Sequence, residues 1–187
     1  IEGFLKIFVP LLLTSLALSL SFKMRFWNIG GEGEFLIGAI AASIIAFNSN
    51  GMPNFVTVLL MCLAAMISSG IIGIAIAALK VKFNTNETLM TLMINYIMLY
   101  VIRYIGETKA DWNFFLREDS ERPKFGTFPD SAVMAGIPLG KFNLLWSVII
   151  ALLLTGIIYV YLKYTKQGYE ISVVGDSSAT AKYAGMS

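Results

Sequence analysis

The sequence contains no histidine and a single cysteine, and these shortages exclude the commonest catalytic and metal sites. Without histidine, neither a histidine-based catalytic triad nor a histidine-containing zinc site can form. Cys62 lies in an apolar run and has no second cysteine to pair with, so we expect a small buried residue at this position. We therefore predict no catalytic residue and no metal site in this chain.

Charge is also scarce, and this shortage indicates the solvent of the folded chain. Charged residues make up 14% of the sequence, whereas soluble domains carry roughly 25%. Hydrophobic residues make up 57%, and the mean hydropathy is +0.72. The composition indicates a protein surrounded mostly by lipid. The net charge of +2 is too small to indicate a nucleic-acid partner.

Five apolar segments reach or approach the roughly 20 residues that a membrane-spanning helix needs. Their approximate bounds are residues 3–22, 35–47, 56–79, 88–105 and 144–162. The second segment is short unless the glycine-rich stretch 26–38 supplies part of its length. That shortness indicates a helix that begins inside the membrane region, where it must face protein or a cavity. The sequence predicts an all-α, polytopic transmembrane helical bundle with about five spans.

Lysine and arginine follow every second span, which gives the orientation. They are Lys23 and Arg25, then Lys80 and Lys82, then Lys163, Lys166 and Lys182. Because short cytoplasmic loops are enriched in these residues, the segment of about 164–187 is predicted to be cytoplasmic. The long loop of about 107–142 is then external, and it is either a solvated connector or a docking surface for a protein partner.

Small residues recur at a spacing of four in the third span, which predicts close helix packing. They are Ala65, Ser69, Gly73 and Ala77, and they share one helix face. The second span repeats the pattern with Gly38, Ala42 and Ala46. Small side chains let two helix backbones approach closely.

Polar residues near the second and fourth spans are candidates for function. Asn95, Thr88 and Thr91 share one face of the fourth span, and Asn95 either bonds a neighbouring helix or lines a transport path. Glu32 and Glu34 either cap the second span, where the helix dipole favours acids, or lie in an unwound, glycine-rich segment. Two residues apart on a helix they point to different sides, so an acid–base pair is not favoured.

The tail after the fifth span contains signals for one short helix. Asp176 or Ser177 can cap its start and Gly185 can end it, which gives about two turns. Such a helix is too short to be stable alone. It is therefore predicted to dock on the parent bundle or on another subunit.

Three blocks together resemble one family. Residues 28–39 resemble the "NIG-x-EGQ-x-x-IGA" signature of bacterial ABC-importer permeases for nucleosides and simple sugars, the branched-chain amino acid/ribose-type permeases. Residues 86–97 resemble the "NE-x-x-x-TLMLNYI" segment of this family, and residues 168–186 resemble its coupling segment, "GYE-x-x-x-VG-x-N-x-x-AA-x-YAGI". Glu34 departs from the pattern because glutamine is common there, and Ser177, Ser178 and Thr180 replace the usual Asn, Pro and Ala.

The resemblance implies a transport subunit rather than an enzyme, in a bacterial cytoplasmic membrane. It implies that ATP binds to a separate cytoplasmic ATPase and that this chain has no cofactor of its own, in keeping with the lack of a Walker A loop. A second permease subunit and an external substrate-binding lipoprotein are the other implied partners. The resemblance further implies that the sequence is a fragment, with helices before residue 1 and after residue 187.

The resemblance also assigns roles to residues. Those implied for the translocation path are Asn28, Glu32, Glu34, Thr88, Thr91 and Asn95. Those implied for coupling to the ATPase are Gly175, Asp176, Ala181, Tyr183, Ala184 and Gly185. Nucleosides are the favoured substrate, and simple sugars such as ribose or galactose are the alternative. A channel or structural membrane subunit, and a membrane enzyme using Glu32 or Glu34, are further alternatives.

Overall fold

The computed structural model describes residues 2–117, 121–134, 136–139 and 142–186, and helices dominate them. Seven α-helices occur in these residues: α1 (Glu2–Lys23), α2 (Gly31–Phe47), α3 (Asn54–Phe83), α4 (Glu87–Glu107), α5 (Trp146–Tyr164), α6 (Lys166–Asp176) and α7 (Ser178–Tyr183). A 3-10 turn at Asp130–Ala132 and an antiparallel hairpin of β1 (Gly136–Leu139) and β2 (Phe142–Leu145) complete the description. The all-α bundle is confirmed, and the short hairpin is an addition that the sequence did not predict.

Four of these helices, α1, α3, α4 and α5, are long and apolar enough to cross a membrane. Helix α2 has 17 residues and begins at Gly31, so the glycine-rich stretch supplies its first turn. At 1.5 Å per residue it is about 25 Å long, shorter than the roughly 30 Å of a bilayer core. The prediction of a short second helix that the glycine-rich stretch lengthens is therefore confirmed, and four of the five predicted spans are long enough to cross a membrane.

The chain divides into two compact units, of which the first combines Ile1–Asn28 with Ala135–Ser187. In this unit Val9 of α1 packs against Val148 and Ala151 of α5. The hydroxyl of Thr165 caps α6 by accepting from the Gly168 N–H at 3.1 Å. Helix α6 is a correction to the sequence analysis, which placed no helix between the fifth span and the short terminal one.

The short helix α7 follows the predicted signals. Of the two predicted caps, the structure uses Ser177, whose hydroxyl accepts from the Thr180 N–H at 3.2 Å. Gly185 then has a φ of +72°, a left-handed conformation that glycine adopts without steric cost. With six residues, α7 is slightly shorter than the predicted two turns.

The second unit is Ile29–Met134, in which α2 packs against both α3 and α4. Lys80 and Glu87 form a salt bridge of 2.7 Å that joins the end of α3 to the start of α4. Much of α3 stays exposed, including Met66 and Ile74, which suits a surface that meets lipid or other helices. Cys62 is exposed on this helix, so the prediction that it is buried was wrong.

Residues 107–117 and 121–134 of the predicted external loop belong to the second unit, whereas residues 136–139 and 142 belong to the first. The side-chain amide of Asn113 donates to the carbonyl oxygens of Ile105 and Thr108, both at 2.7 Å. Phe115 and Leu116 are buried next to it. Residues 118–120, 135, 140 and 141 of the predicted loop lie outside the described residues. The loop is thus more than a solvated connector, at least between residues 108 and 117.

Candidate functional site

The first turn of α2 is bonded to α4 through Asn95. The Gly33 N–H donates to Asn95 Oδ1 at 2.7 Å, and Asn95 Nδ2 donates to the carbonyl oxygen of Ile29 at 2.8 Å. Both ends of one side-chain amide therefore bond backbone groups four residues apart. We call Ile29, Gly33, Thr91 and Asn95 the α2–α4 cluster.

Thr91 bonds the same stretch from one turn earlier on α4. Its hydroxyl oxygen accepts from the Ile29 N–H at 3.1 Å and donates to the Glu87 carbonyl oxygen at 2.8 Å within its own helix. The side chain is fully buried. A residue at i and one at i+4 lie on one helix face, which is why Thr91 and Asn95 reach the same segment.

Two glycines allow this close approach of α2 to its neighbours. A Cβ at Gly33 would lie 2.9 Å from Ile94 Cγ2 and 3.0 Å from both the backbone nitrogen and Oδ1 of Asn95. A Cβ at Gly38 would lie 2.9 Å from Ser69 Oγ of α3. At 2.9 Å a Cβ at either position would force the neighbouring side chain, Ile94 or Ser69, to shift, so both positions favour glycine.

Ser69 adds a polar bond from α3, a role that the sequence analysis missed. Its hydroxyl donates to the Glu34 carbonyl oxygen at 2.8 Å. Ser69 was predicted to serve packing alone, because a serine in a stripe of small residues is indistinguishable from another small side chain. A hydroxyl facing a glycine-rich helix start is the signal that would have indicated a bond.

The structure separates the remaining predicted path residues by burial. Asn28 is buried and belongs to the first unit, whereas Glu32 is exposed and Glu34 half-buried in the second. Thr88 is half-buried, and its carbonyl oxygen also lies 3.2 Å from the Thr91 hydroxyl. The structure thus joins Thr91 and Asn95 in one cluster. Their role in a path stays a prediction.

The predicted packing stripe of α3 has two different halves. Ala65 and Ser69 lie against Gly38 of α2. Within the described residues, nothing lies within 4 Å of a Cβ built at Gly73, and Ala77 is exposed.

The predicted coupling residues also divide into buried and exposed sets. Gly175 is buried, and a Cβ there would collide with the carbonyl oxygen of Lys23 at the end of α1. Ala181 is buried on α7. The other four are exposed, and Tyr183 most of all, with 97% of its surface accessible; they are Asp176, Tyr183, Ala184 and Gly185. One face of α7 is therefore available to a partner.

The opposite end of α2 is held by aromatic rings. The Phe47 ring centroid lies 5.2 Å from that of Phe128, 5.9 Å from Phe115 and 6.3 Å from Phe114. The rings of Phe47, Phe115 and Phe128 border an apolar cavity of about 200 Å³ between α2, α4 and the loop. Asn54 fixes the loop nearby, because its Nδ2 donates to the carbonyl oxygens of Ser131 at 3.0 Å and Val133 at 2.8 Å.

Carboxylates do not form a metal-binding group in the part of the chain that the structure describes. No set of three or more aspartate, glutamate or cysteine side chains in it is placed to hold a metal ion. Glu32 and Glu34 both lie in the first turn of α2.

Comparison with known proteins gives a consistent set of relatives. The guanosine ABC transporter permease protein of Bacillus subtilis is 29% identical over 182 residues, which is 95% of this chain and 50% of that protein. The glucose ABC transporter permease protein of Haloferax volcanii is 30% identical over 190 residues, 96% of this chain and 48% of that protein. The nucleoside ABC transporter permease protein of Lactococcus lactis is 25% identical over 182 residues, with coverage of 95% and 50%. The chain thus spans about half the length of these relatives.

No solved structure matches the chain. A family model described as the permease component of the branched-chain amino acid transport system matches residues 1–187. Together with the four long apolar helices, this match identifies a multi-pass membrane protein. The chain therefore belongs to the branched-chain amino acid transport system permease family, as its three sequence blocks predicted.

Proposed function

We propose that this chain is part of the membrane-spanning permease subunit of an ATP-driven importer, and that it contributes to the translocation path and to coupling with a separate ATPase. The observation that carries the proposal is the match of the permease family model to all 187 residues. A polytopic bundle with an exposed, capped short helix after its last described span supports it.

Nucleosides are the proposed substrate. The guanosine and nucleoside permeases named above are similar to this chain over 95% of its length. A sugar is the second candidate, because the glucose permease is 30% identical over 96% of the chain. The experiment that separates them is uptake of labelled guanosine and labelled glucose by cells producing the full transporter. Uptake of glucose that excess guanosine does not reduce would contradict the nucleoside assignment.

The proposed partners are a cytoplasmic ATPase, a second permease subunit and an external substrate-binding lipoprotein, with the tail of about 164–187 in the cytoplasm of a bacterial cell. The exposed side of α7, around Tyr183 and Gly185, is the proposed contact for the ATPase. Closure of the ATPase pair would move α7 and so switch the bundle between outward and inward access. Lysines at the ends of α3 and α5 support this orientation.

The coupling proposal is tested by replacing Tyr183 with alanine in the assembled transporter. Because 97% of this side chain is accessible in the chain alone, its removal should weaken binding of the ATPase without unfolding the permease. We expect less co-purified ATPase and slower uptake. A matched control is Tyr164→Ala, which removes an exposed tyrosine from the last turn of α5. Full ATPase recovery and normal uptake in Tyr183→Ala would contradict the assignment.

The proposed path runs along the α2–α4 side of the second unit. Glu32 is its exposed acid, and Glu34 is half-buried and directly follows Gly33 of the α2–α4 cluster. We expect Glu32→Gln to alter the uptake rate. Unchanged uptake of every nucleoside in the double replacement of Glu32 and Glu34 by glutamine would exclude both carboxylates from the path.

A further inference from the structure

Helix α2 is displaced along α4 by about two turns. Its first turn lies beside Asn95, which is eight residues into α4 and so about 12 Å from the first residue of that helix. Phe47 follows Gly33 by fourteen residues, whereas fourteen residues beyond Asn95 the chain has already left α4, which ends at Glu107. Phe47 contacts Phe114 and Phe115, which follow α4 in the chain, as this displacement predicts.

A helix that starts beside the interior of another helix can bond its first backbone groups to side chains of that helix. Residues 24–30 are not helical, and the first amide groups of a helix have no partner within it. In an apolar surrounding such groups must find protein partners. Thr91 and Asn95 are such partners for three backbone groups. Thr91 accepts from the Ile29 N–H, and Asn95 accepts from the Gly33 N–H and donates to the Ile29 carbonyl oxygen.

The polar atoms of Asn95 and Thr91 are engaged in these bonds. The Asn95 amide bonds α2 through both Oδ1 and Nδ2, and the Thr91 hydroxyl both accepts from Ile29 and donates within α4. Thr91 has no accessible surface. A bound solute would have to displace α2 to reach its hydroxyl.

We infer that Thr91 and Asn95 are positioning residues, which fix the displaced start of α2 on α4, and that they do not contact the substrate. Loss of either side chain should free residues 29–33 and slow the transport cycle while leaving substrate affinity unchanged. The inference concerns packing within this chain, and it rests on the proposed transport function only for its kinetic readout.

The experiment measures amide hydrogen exchange of residues 29–34 in the full permease in lipid nanodiscs. Thr91→Val removes the hydroxyl and keeps the shape, Thr91→Ser keeps the hydroxyl, and Asn95→Ala removes both amide bonds. We expect exchange in this segment to rise about tenfold in Thr91→Val and Asn95→Ala, since losing one or two partly buried hydrogen bonds shifts an opening equilibrium by about such a factor. Thr91→Ser should exchange like the parent.

A matched control is Thr155→Val, because among the described residues the Thr155 hydroxyl bonds only the Ala151 carbonyl oxygen of its own helix. It should leave exchange in residues 29–34 unchanged. If Thr91→Val and Asn95→Ala also leave it unchanged, the inference is wrong. Should Asn95→Ala not be recoverable as folded protein, the comparison of Thr91→Val with Thr91→Ser decides on its own.

Uptake kinetics provide the second readout. We expect Thr91→Val and Asn95→Ala to lower the maximal uptake rate. KM should stay within about twofold of the parent, because these side chains do not contact the substrate. A tenfold rise of KM in Asn95→Ala would make Asn95 a substrate contact and overturn the inference. If the transporter carries neither nucleosides nor sugars, the exchange experiment still tests the positioning role, so the two failures are distinguishable.

Discussion

The start of α2 and the tail after α5 resemble each other in sequence and differ in structure. Both are short polar, glycine-containing stretches beside a long apolar helix, and both match family blocks. At the start of α2, backbone groups bond side chains of α3 and α4. In the tail, polar groups mostly bond their own helix or cap it, and Tyr183 and Lys182 project from α7. Stretches of similar composition thus bond α2 to its neighbouring helices in one region and leave side chains of α7 exposed in the other.

The two regions contain glycine for two different physical reasons. Gly33 and Gly175 lie where a Cβ would collide with neighbouring atoms, whereas Gly185 has open space and a positive φ. The comparison therefore separates glycines that permit packing from one that ends a helix. It predicts that substitutions at the first kind affect stability strongly and that surface substitutions in the tail affect it little.

The largest effect is expected for Gly175→Ala. The new Cβ would overlap the carbonyl oxygen of Lys23, a backbone atom that moves only with α1. Overpacking of this kind destabilises by about 3 kcal/mol or more, so the thermal unfolding temperature of the purified permease should fall by several degrees. This result would show that the tail begins with a packed position, unlike its exposed end.

The control for this substitution is Gly156→Ala in α5, where nothing among the described residues lies within 4 Å of the new Cβ. Alanine is favoured over glycine inside a helix by about 0.5–1 kcal/mol. The control should unfold at the same or a slightly higher temperature. Equal destabilisation by both substitutions would remove the packing reason assigned to Gly175.

The next effect is expected for Gly33→Ala at the start of α2. Its Cβ would meet Ile94 Cγ2 at 2.9 Å and Asn95 Oδ1 at 3.0 Å, and these side chains can shift slightly. We expect destabilisation of about 1–3 kcal/mol, measured by thermal unfolding. Gly70→Ala in α3 is the matched control, because its Cβ meets no described atom within 4 Å. A stable Gly33→Ala variant would mean that α2 does not need its close approach to α4.

The sequence predicted helix positions well because hydrophobic length and helix caps are local properties. The four helices long enough to span a membrane, the shortness of α2 and the Ser177 cap of α7 all follow from residues close together in the chain. Helix α6 was missed because it is not apolar, and its start depends on a threonine cap that resembles an ordinary loop residue. The bond from Ser69 to Glu34 joins residues 35 positions apart, and no local pattern contains that information.

The sequence identified residues of the candidate site, but it predicted less well what each of them does. Asn95 was correctly singled out as a costly polar residue in an apolar span, and bonding and path lining were left as alternatives. The sequence could not decide between them, because the choice depends on which backbone groups of α2 come within reach. Those distances depend on the displacement of α2 along α4, which Phe47 and its aromatic neighbours fix at the other end.

An intermediate effect is expected at this other end, from Asn54→Ala. The substitution removes the donor to the carbonyl oxygens of Ser131 and Val133, at a cost of about 1 kcal/mol. Residues 121–134 should become more sensitive to limited proteolysis, which follows the population of the opened loop. Asn48→Ala is the matched control, since within the described ranges its side-chain amide bonds only the Ile44 carbonyl oxygen of α2. Equal proteolysis of both variants would show that Asn54 does not hold the loop.

The smallest effect on stability is expected for Lys182→Ala, next to the residue tested for coupling. Lys182 is exposed in the last turn of α7, where a positive charge gains only a few tenths of a kcal/mol from the helix dipole. Its removal should therefore change the unfolding free energy by less than about 0.5 kcal/mol. Ala181→Leu, one residue earlier, places a larger side chain at a buried position and should destabilise by about 1–3 kcal/mol. Thermal unfolding of the two variants thus compares the two sides of α7. If Lys182→Ala were the more destabilising one, its side chain would belong to the packed part of the fold, and α7 would have no free side to offer a partner.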